Sequence, residues 1–500
     1  MFSVFENELK NVSNILLVVF RISEDNLSSL LSNSLFSSIT LGLRFISNAI
    51  LFVIIARYLG AEEFGKFTLA ISITGIFLVI VDYGFNMQIV RDIATDRNNI
   101  SSLVNSIISS KLILSVISTV VLVVVLYFIG YPAKTMLIIW IAWIAMLFYS
   151  FGQFCNSLFR GFNKFQFETY PTILLNIIQI VLVVIFLICG LSTLSIMIAY
   201  LISRIVYFII SFSYVRLKIM RISYRFSFGD GLRSLRESLP FGIHTIISAL
   251  YFQIDTVLLS YFKGDIEVGY YQAAMRLVLA TMILSDIISA AFFPIIAKSS
   301  VYDKATFEKM SVKFNKYLIL SGCGFASVLY LLAEPIILSL YGNAYHTSIT
   351  LLQLLSIVVL LRFAGGAYAA VITVTDNQGL RAAGVFVSLI VNLMLNYMLI
   401  PLYGASGAAI SSIITHLVLV TMYFVFTFRL TGNTLLSKRC SFAVLIIATH
   451  TLVLSSLGGI CNYLTSSAIL VSMTLALYIA LEYDEKNNLL QAARKCILRV

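Results

Sequence analysis

Charged residues are scarce in this 500-residue chain. They make up 11% of it, against about 25% in ordinary soluble domains, while hydrophobic residues make up 60%. Such a chain has too few polar side chains to cover a soluble surface, so it requires a bilayer as its second solvent. The shortage of charge excludes a soluble enzyme, a secreted disulfide protein and a nucleic-acid-binding protein, and we expect no nucleic acid among its partners.

Catalytic and metal-binding patterns are also missing from the sequence. The six cysteines form no CxxC pair and lie mostly in apolar runs, which argues against a metal site or a disulfide framework. There is no phosphate-binding P-loop, so ATP bound to this chain does not supply energy. No long hydrophilic outer loop is available to hold a catalytic acid. We therefore expect a non-enzyme without a bound cofactor, for which a proton or sodium gradient is the candidate energy source.

Long hydrophobic runs predict helices rather than a barrel, since spanning strands would alternate polar and apolar residues. A spanning helix needs about 20 mostly apolar residues. The predicted spans are 33–58, 66–88, 107–129, 134–157, 169–189, 193–214, 239–262, 270–297, 314–340, 348–373, 380–402, 405–428, 439–460 and 463–482. The expected fold is an all-α integral membrane protein with about 14 transmembrane helices.

Lysine and arginine positions test this topology independently. With the N-terminus inside, and with basic residues within two positions of a span end counted in the adjoining loop, 25 of the 34 basic residues fall in the terminal segments and the even-numbered loops, four fall in the odd-numbered loops, and five lie within spans. Basic residues are enriched on the cytoplasmic side of membrane proteins. The bias therefore predicts a multi-pass protein with both termini in the cytoplasm.

The two halves of the chain resemble each other when one is shifted by 204 residues. In the window 34–70, nine of 37 positions are identical to 238–274 without a gap. Six spans separate the copies, so both have the same orientation, a pattern typical of transporters whose site lies between two lobes. The predicted organisation is a cytoplasmic pre-helix at 1–32, an N-lobe of helices 1–6 at 33–214, a basic cytoplasmic linker at 215–238, a C-lobe of helices 7–12 at 239–430, helices 13 and 14 at 439–482, and a cytoplasmic tail at 483–500.

The outer turns of the two copies resemble those of a known family. The stretch Ala56-Arg-Tyr-Leu-Gly-Ala-Glu-Glu-Phe-Gly-Lys-Phe67 is similar to the first outer turn of the Wzx-type polysaccharide flippases, which belong to the multidrug/oligosaccharidyl-lipid/polysaccharide exporter superfamily. The segment 238–274 resembles the start of their second lobe. Further similar pieces follow in order and spacing at Asp82-Tyr-Gly84, Leu340-Tyr-Gly342 and 392–407.

This resemblance implies a flippase for surface polysaccharide biosynthesis, of lipopolysaccharide O-antigen or of capsule. Its substrate would be an oligosaccharide repeat unit linked to undecaprenyl pyrophosphate, moved from the cytoplasmic to the outer leaflet of a bacterial inner membrane by alternating access. A polysaccharide polymerase and a chain-length regulator are the implied protein partners, and the basic linker predicts contact with anionic membrane lipids. Two alternatives stay open: a cation-coupled multidrug antiporter of the same superfamily, and a membrane polysaccharide polymerase.

Ionisable side chains within spans mark candidate functional residues, because each is costly unless it faces a wet cavity or a partner. Arg44, Arg204 and Arg362 lie near the middle of spans in both lobes. If they converge on a central cavity, their planar donor forks would bind a pyrophosphate. The alternative for each arginine is a hydrogen bond between helices.

The remaining intramembrane charges give three further expectations. Asp82 and Asp286 are candidate sites for a coupling proton or sodium ion, the alternative being that each neutralises a basic side chain. Lys111 lies near a cytoplasmic end and is expected to snorkel to the interface. Asp255 and Arg276 lie at similar estimated depths on either side of an outer turn, which predicts an ion pair or gate between them.

Overall fold

The structure, a computed structural model, describes residues 24–95, 100–220 and 226–437, together with 439–451 in part. These residues form α-helices joined by short turns, and the described part of the chain contains no strand. A 3-10 turn at Asn343–Tyr345 precedes the eleventh helix. The helices α1 to α12 are Glu24–Asp82, Phe85–Thr95, Ile100–Ile129, Ala133–Gly161, Gln166–Ile188, Thr193–Lys218, Phe228–Lys263, Asp265–Tyr302, Lys304–Leu331, Ala333–Leu340, Thr347–Val374 and Gln378–Thr431.

Two of these helices are too long for one membrane crossing. α1 has 59 residues and α12 has 54, which are lengths of about 90 Å and 80 Å, against about 30 Å for the bilayer core. Each is broken by a glycine outside the helical conformation, Gly60 (φ 77°, ψ 174°) in α1 and Gly404 (φ 58°, ψ −135°) in α12. Glycine adopts a positive φ at little cost. Each of the two helices therefore contains two spans.

The first twelve predicted spans fall on helices, and the protein is an all-α integral membrane protein. Two predicted spans differ in detail. The span 66–88 is interrupted after Asp82, because Tyr83 and Gly84 both adopt a positive φ before α2 begins. The span 314–340 is broken by a 67° bend between α9 and α10. The predicted span 439–460 is described only as far as residue 451 and 463–482 lies outside the described residues, so the count of fourteen stays a prediction.

The helices form two compact units that are discontinuous in sequence. The first unit contains the described residues up to Phe52 together with Ile73–Ile246, and the second contains Val53–Ser72 and the described residues from Ile247 onward. This division differs from the predicted lobe limits of 33–214 and 239–430. The break in α1 packs with the second unit, and the first half of α7 packs with the first.

The start of α7 contributes to the packing of the first unit. Ser110 of α3 donates a hydrogen bond to the carbonyl oxygen of Gly231 at 2.8 Å, and Ser238 donates one to the side chain of Gln88 on α2. Both hydroxyl groups are buried. The predicted linker at 215–238 is therefore helical in its second half, with one face seated on α2 and α3.

The two repeat copies meet at their predicted outer turns, within the second unit. Gly65 faces the carbonyl oxygen of Asp265, and Gly269 faces the carbonyl oxygen of Ala61. A Cβ atom at either glycine would overlap the facing oxygen. Both glycines and both carbonyl groups are related by the same shift of 204 residues, so the contact is reciprocal, as in a two-fold interface. The repeat seen in the sequence is therefore also a structural repeat at this contact.

We expect reporter fusions after Gly264 and after Gly342 to read external, and a fusion after Asp303 to read cytoplasmic. Asp303 precedes the lysine-rich start of α9, and lysine is retained on the cytoplasmic side. Alkaline phosphatase and fluorescent-protein fusions at the three positions measure this directly. An external reading at Asp303 would overturn the topology, because it would invert every later span.

Candidate functional site

The first unit contains a cluster of charged side chains contributed by α1, α4 and α5. Glu168, near the start of α5, accepts hydrogen bonds from Nε and Nη2 of Arg160 at 2.7 and 2.5 Å. Nη2 of Arg44 lies 3.5 Å from the Oε1 atom that Arg160 also contacts, and it donates to Gln153 at 3.4 Å. Two guanidinium groups thus share one acid. The side chain of Glu168 is 4% exposed, whereas those of Arg44 and Arg160 are 23% and 39% exposed.

Arg204 of α6 lies between aromatic rings in the same unit. Its guanidinium carbon is 4.1 Å from the ring centre of Tyr149 and 4.5 Å from that of Tyr200, whose hydroxyl group accepts a hydrogen bond from Nη2 at 2.8 Å. The rings of Tyr149 and Tyr207 are 5.9 Å apart, and Tyr207 is within electrostatic range of Arg44. The structure therefore brings Arg44 and Arg204, two of the predicted cavity residues, into one cluster.

Arg44 lies further from the Gly60 end of its span than the predicted middle. That end of the span is set by the break at Gly60, sixteen residues later. At 1.5 Å per residue the separation is about 24 Å, most of a core about 30 Å thick. The partners of Arg44 accordingly come from the end of α4 and the start of α5.

Arg160 and Glu168 are functional candidates that the apolar pattern of the sequence does not reveal. The apolar runs stop at residue 157 and resume at 169, so both residues were assigned to a cytoplasmic loop. In the structure they belong to α4 and α5, each of which extends beyond its apolar run. The sequence feature that could have identified them is a pair of opposite charges eight residues apart across a short turn.

The cluster around Glu168 carries an excess of positive charge. Arg44, Arg160 and Arg204 contribute three positive charges and Glu168 one negative charge. Two buried donor atoms, Nε2 of Gln153 and Nε of Arg204, have no hydrogen-bond partner in the described structure. An excess of about two positive charges with spare donors suits an anion with several acceptor oxygens.

Asp82 and Lys111 form a second charged group in the first unit. Nζ of Lys111 lies 2.6 Å from Oδ1 of Asp82, and Ser150 donates to the same oxygen at 2.5 Å while accepting from Lys111 at 2.7 Å. Lys111 is fully buried. The prediction that Lys111 snorkels is therefore wrong, because Asp82 supplies a counter-ion at the same depth. Asp82, predicted as a candidate coupling acid, is held in this ion pair.

Asp255 in the second unit is buried, and its hydrogen-bond partners are uncharged. Its carboxylate accepts from Asn396 at 2.6 Å, from Ser412 at 2.7 Å and from Tyr271 at 3.0 Å. Arg276 is not among these partners. The predicted Asp255–Arg276 ion pair is therefore not formed in this structure.

The register of α7 against α8 explains this difference. The two helices are separated by Gly264 alone, and Gln272 of α8 donates to Thr256 of α7, each eight residues from that glycine. Asp255 consequently lies opposite the position after Gln272. Arg276 is three residues further along α8, or about 4.5 Å deeper. The sequence estimate placed the start of α8 too late and so gave both residues the same depth.

Arg362 and Asp286 lie within electrostatic range of each other in the second unit. The guanidinium carbon of Arg362 is 4.7 Å from the ring centre of Phe252, and Asp286 is exposed on α8. Arg44 and Arg204 belong to the first unit and Arg362 to the second. The convergence of all three arginines on one cavity stays a prediction.

The fold of the structure is similar to that of two solved membrane proteins. The structure aligns with the lipid II flippase MurJ in an inward closed conformation at a TM-score of 0.72 and 17% sequence identity, covering 89% of this chain and 98% of that one. It also aligns with a multidrug resistance MATE family transporter in an inward-facing conformation at a TM-score of 0.65 and 16% identity, covering 79% and 98%. These likenesses establish the fold.

The sequence identifies the family within this fold. The profile of the family described as "Polysaccharide biosynthesis protein" matches residues 30–300, more than half of the chain. The chain therefore belongs to the polysaccharide biosynthesis protein family. A relative from Escherichia coli strain K12, named as an O-antigen transporter, is 25% identical over 419 residues, which cover 80% of this chain and 97% of the relative. The family resemblance of the outer turns is confirmed.

Proposed function

We propose that this protein is a flippase that moves oligosaccharide repeat units, linked to undecaprenyl pyrophosphate, from the cytoplasmic to the outer leaflet by alternating access. The observation that carries the proposal is the cluster of Arg44, Arg160 and Arg204 within the first unit. Membership of the polysaccharide biosynthesis family, and the name of the Escherichia coli relative, support a surface polysaccharide as the product.

The chemistry of the cluster suits a diphosphate diester. Such a group carries two negative charges at neutral pH, which match the excess of about two positive charges around Glu168. Arginine keeps its charge and offers a planar fork to phosphate oxygens. At membrane depth the attraction is weakly screened by salt. The same positive excess disfavours the cationic drugs that a multidrug antiporter would carry.

The cellular setting follows from this substrate. We propose a transporter, not an enzyme, in the inner membrane of a bacterial cell, with both termini in the cytoplasm. The flipped unit would serve O-antigen or capsule synthesis, in which a polysaccharide polymerase and a chain-length regulator act next. The exposed basic residues at the end of α6, Arg216 and Lys218, would contact anionic lipids of the cytoplasmic leaflet.

Arg44→Ala and Arg204→Ala are each expected to abolish or strongly reduce surface polysaccharide in a complemented deletion strain. Lysine at either position should restore export incompletely, because a point charge replaces a two-donor fork. Undecaprenyl-linked repeat units should accumulate in the inner leaflet. Arg429→Ala, which removes an exposed arginine from the last turn of α12, is the control and should export normally. Normal export by an alanine variant at native expression would remove that arginine from the site.

We propose further that a coupling proton or sodium ion acts at Asp255. Asp82 is neutralised by Lys111, whereas the buried carboxylate of Asp255 is surrounded by uncharged donors. A buried carboxylate without a cation is costly in a bilayer, so a proton or metal cation would stabilise it. Asp286 is exposed and lies near a guanidinium group, which makes it the weaker candidate.

Asp255→Asn should remove the dependence of transport on an imposed ion gradient. Proteoliposomes with a proton gradient or a sodium gradient distinguish the two ions. Asp376→Asn is the matched control, because Asp376 is exposed at a turn of the same unit, and its left-handed backbone (φ 58°) is favourable for asparagine. Undiminished gradient dependence in the Asp255→Asn variant would assign coupling to another residue.

A further inference from the structure

We infer that Glu168 is a positioning residue: from its buried place behind Arg44 and Arg160, it orients both guanidinium groups into a two-arginine site for the diphosphate of the lipid-linked substrate. The inference rests on the proposed function. It assigns contact with the diphosphate to Arg44 and Arg160 together, and it gives the buried acid the role of orienting them.

The exposed fractions of the three side chains distinguish the positioning acid from the two arginines that would contact the substrate. Glu168 is 4% exposed, while the side chains of Arg44 and Arg160 are 23% and 39% exposed. An anion that approaches from solvent therefore meets the guanidinium groups before it meets the acid. The carboxylate lies on the protein side of both arginines, where it can hold them without obstructing the approach.

The hydrogen bonds leave donors available on both arginines. Arg160 contacts Glu168 through Nε and Nη2, which leaves its Nη1 outside the ion pair. Arg44 uses Nη2 for both Glu168 and Gln153, which leaves its Nε and Nη1 outside these contacts. Each guanidinium can thus keep its support and still donate to a phosphate oxygen.

The shared oxygen also limits the distance between the two arginines. Both Nη2 atoms contact Oε1 of Glu168, at 3.5 Å and 2.5 Å. The two nitrogen atoms can therefore be no further apart than these distances together, about 6 Å, a spacing that lets one diphosphate contact both cations. A monophosphate has fewer oxygens to divide between them. The pair should therefore distinguish a diphosphate from a monophosphate.

Two other roles for Glu168 make opposite predictions. If the acid only competed with the substrate or lowered the local charge, its removal would strengthen anion binding. If it only fastened α4 to α5, its removal would weaken the fold and the binding of every ligand alike. A positioning residue predicts weaker binding of the diphosphate in particular, although the neutral variant adds one positive charge to the cluster.

The experiment measures binding of farnesyl diphosphate and farnesyl monophosphate to the purified full-length protein in detergent. Glu168→Gln is expected to weaken diphosphate binding about tenfold, the lower end of the losses seen when a residue that orients a metal-ligating side chain is removed, with a smaller change for the monophosphate. Glu168→Asp should recover part of the loss. The control Asp92→Asn makes the same charge change in the same unit and releases the surface partner Arg91. Its affinities for both farnesyl ligands should stay within about twofold of those of the unmodified protein.

A second variant keeps the test decisive if Glu168→Gln does not fold. Arg160→Lys retains the charge and can still pair with Glu168, but it lacks the fork, so it should lose most of the preference for diphosphate over monophosphate. Tighter diphosphate binding by Glu168→Gln, or an equal loss for both ligands, would overturn the inference and leave the proposed function standing. Failure of the unmodified protein to bind the diphosphate would overturn both.

Discussion

Valine in place of Gly269 should lower the free energy of unfolding by about 1–3 kcal/mol or more, as other overpacked contacts do. A side chain at this position would overlap the carbonyl oxygen of Ala61, which belongs to backbone and cannot rotate away. Valine at Gly65 should have a similar effect, since it meets the carbonyl oxygen of Asp265. Thermal unfolding of the detergent-solubilised protein, followed by loss of the monodisperse peak, measures the change.

The reciprocal contact also predicts how the two glycine variants combine. Once one substitution has forced the outer turns apart, the second has little contact left to disturb, so the double variant should be less destabilised than additivity requires. Gly379→Val is the control, because Gly379 lies in a helix of the same unit with no heavy atom near a built Cβ. Additive losses at Gly65 and Gly269 would mean that the two contacts are independent.

Asparagine in place of Asp82 is expected to destabilise the first unit by about 3–5 kcal/mol, the usual effect of leaving a buried charge without its partner. Lys111 is fully buried, and its ammonium group would keep the hydroxyl of Ser150, the ring of Phe151 and a neutral amide as partners, with no counter-ion. Lys111→Met should cost less, because the side chain of Asp82 is 21% exposed and retains some hydration. Both changes are measured as shifts in the thermal unfolding midpoint.

The double variant Asp82→Asn with Lys111→Met tests the reason for this loss. It removes both charges, so it should be more stable than Asp82→Asn alone. Asp92→Asn, which breaks a partly exposed pair with Arg91, is the control and should change stability by less than about 1 kcal/mol. If the double variant were less stable than either single variant, the stability that Lys111 contributes would not come from its pairing with Asp82.

Much of the fold could be predicted because the relevant signals are local. A run of apolar residues marks a span wherever its neighbours lie, and the first twelve predicted spans fall on helices. The turn glycines Gly60 and Gly264 were visible as repeat partners, and both adopt a positive φ in the structure. The boundary errors at Asp82 and Leu332 arose because apolar residues continue through a break that the backbone makes.

The partners of the intramembrane charges could not be predicted in the same way. Lys111 was assigned to the interface, yet Asp82 from another helix neutralises it. Glu168 was assigned to a loop, yet it is the acid that joins Arg44 and Arg160. In each case the decisive neighbour comes from a different helix. Nothing in the run of residues around a charge indicates which helix faces it.

The sequence by itself determined that this is an all-α membrane protein, the approximate positions of its first twelve spans, its internal repeat and its family. Only the tertiary structure decided which acid meets which base and that Asp255 is held by uncharged side chains. The physical reason is that the two kinds of prediction tolerate different errors in residue position. Hydropathy is summed over about 20 residues and survives an error of two or three, whereas an error of one residue turns a helix by about 100° and moves a side chain out of reach of its partner.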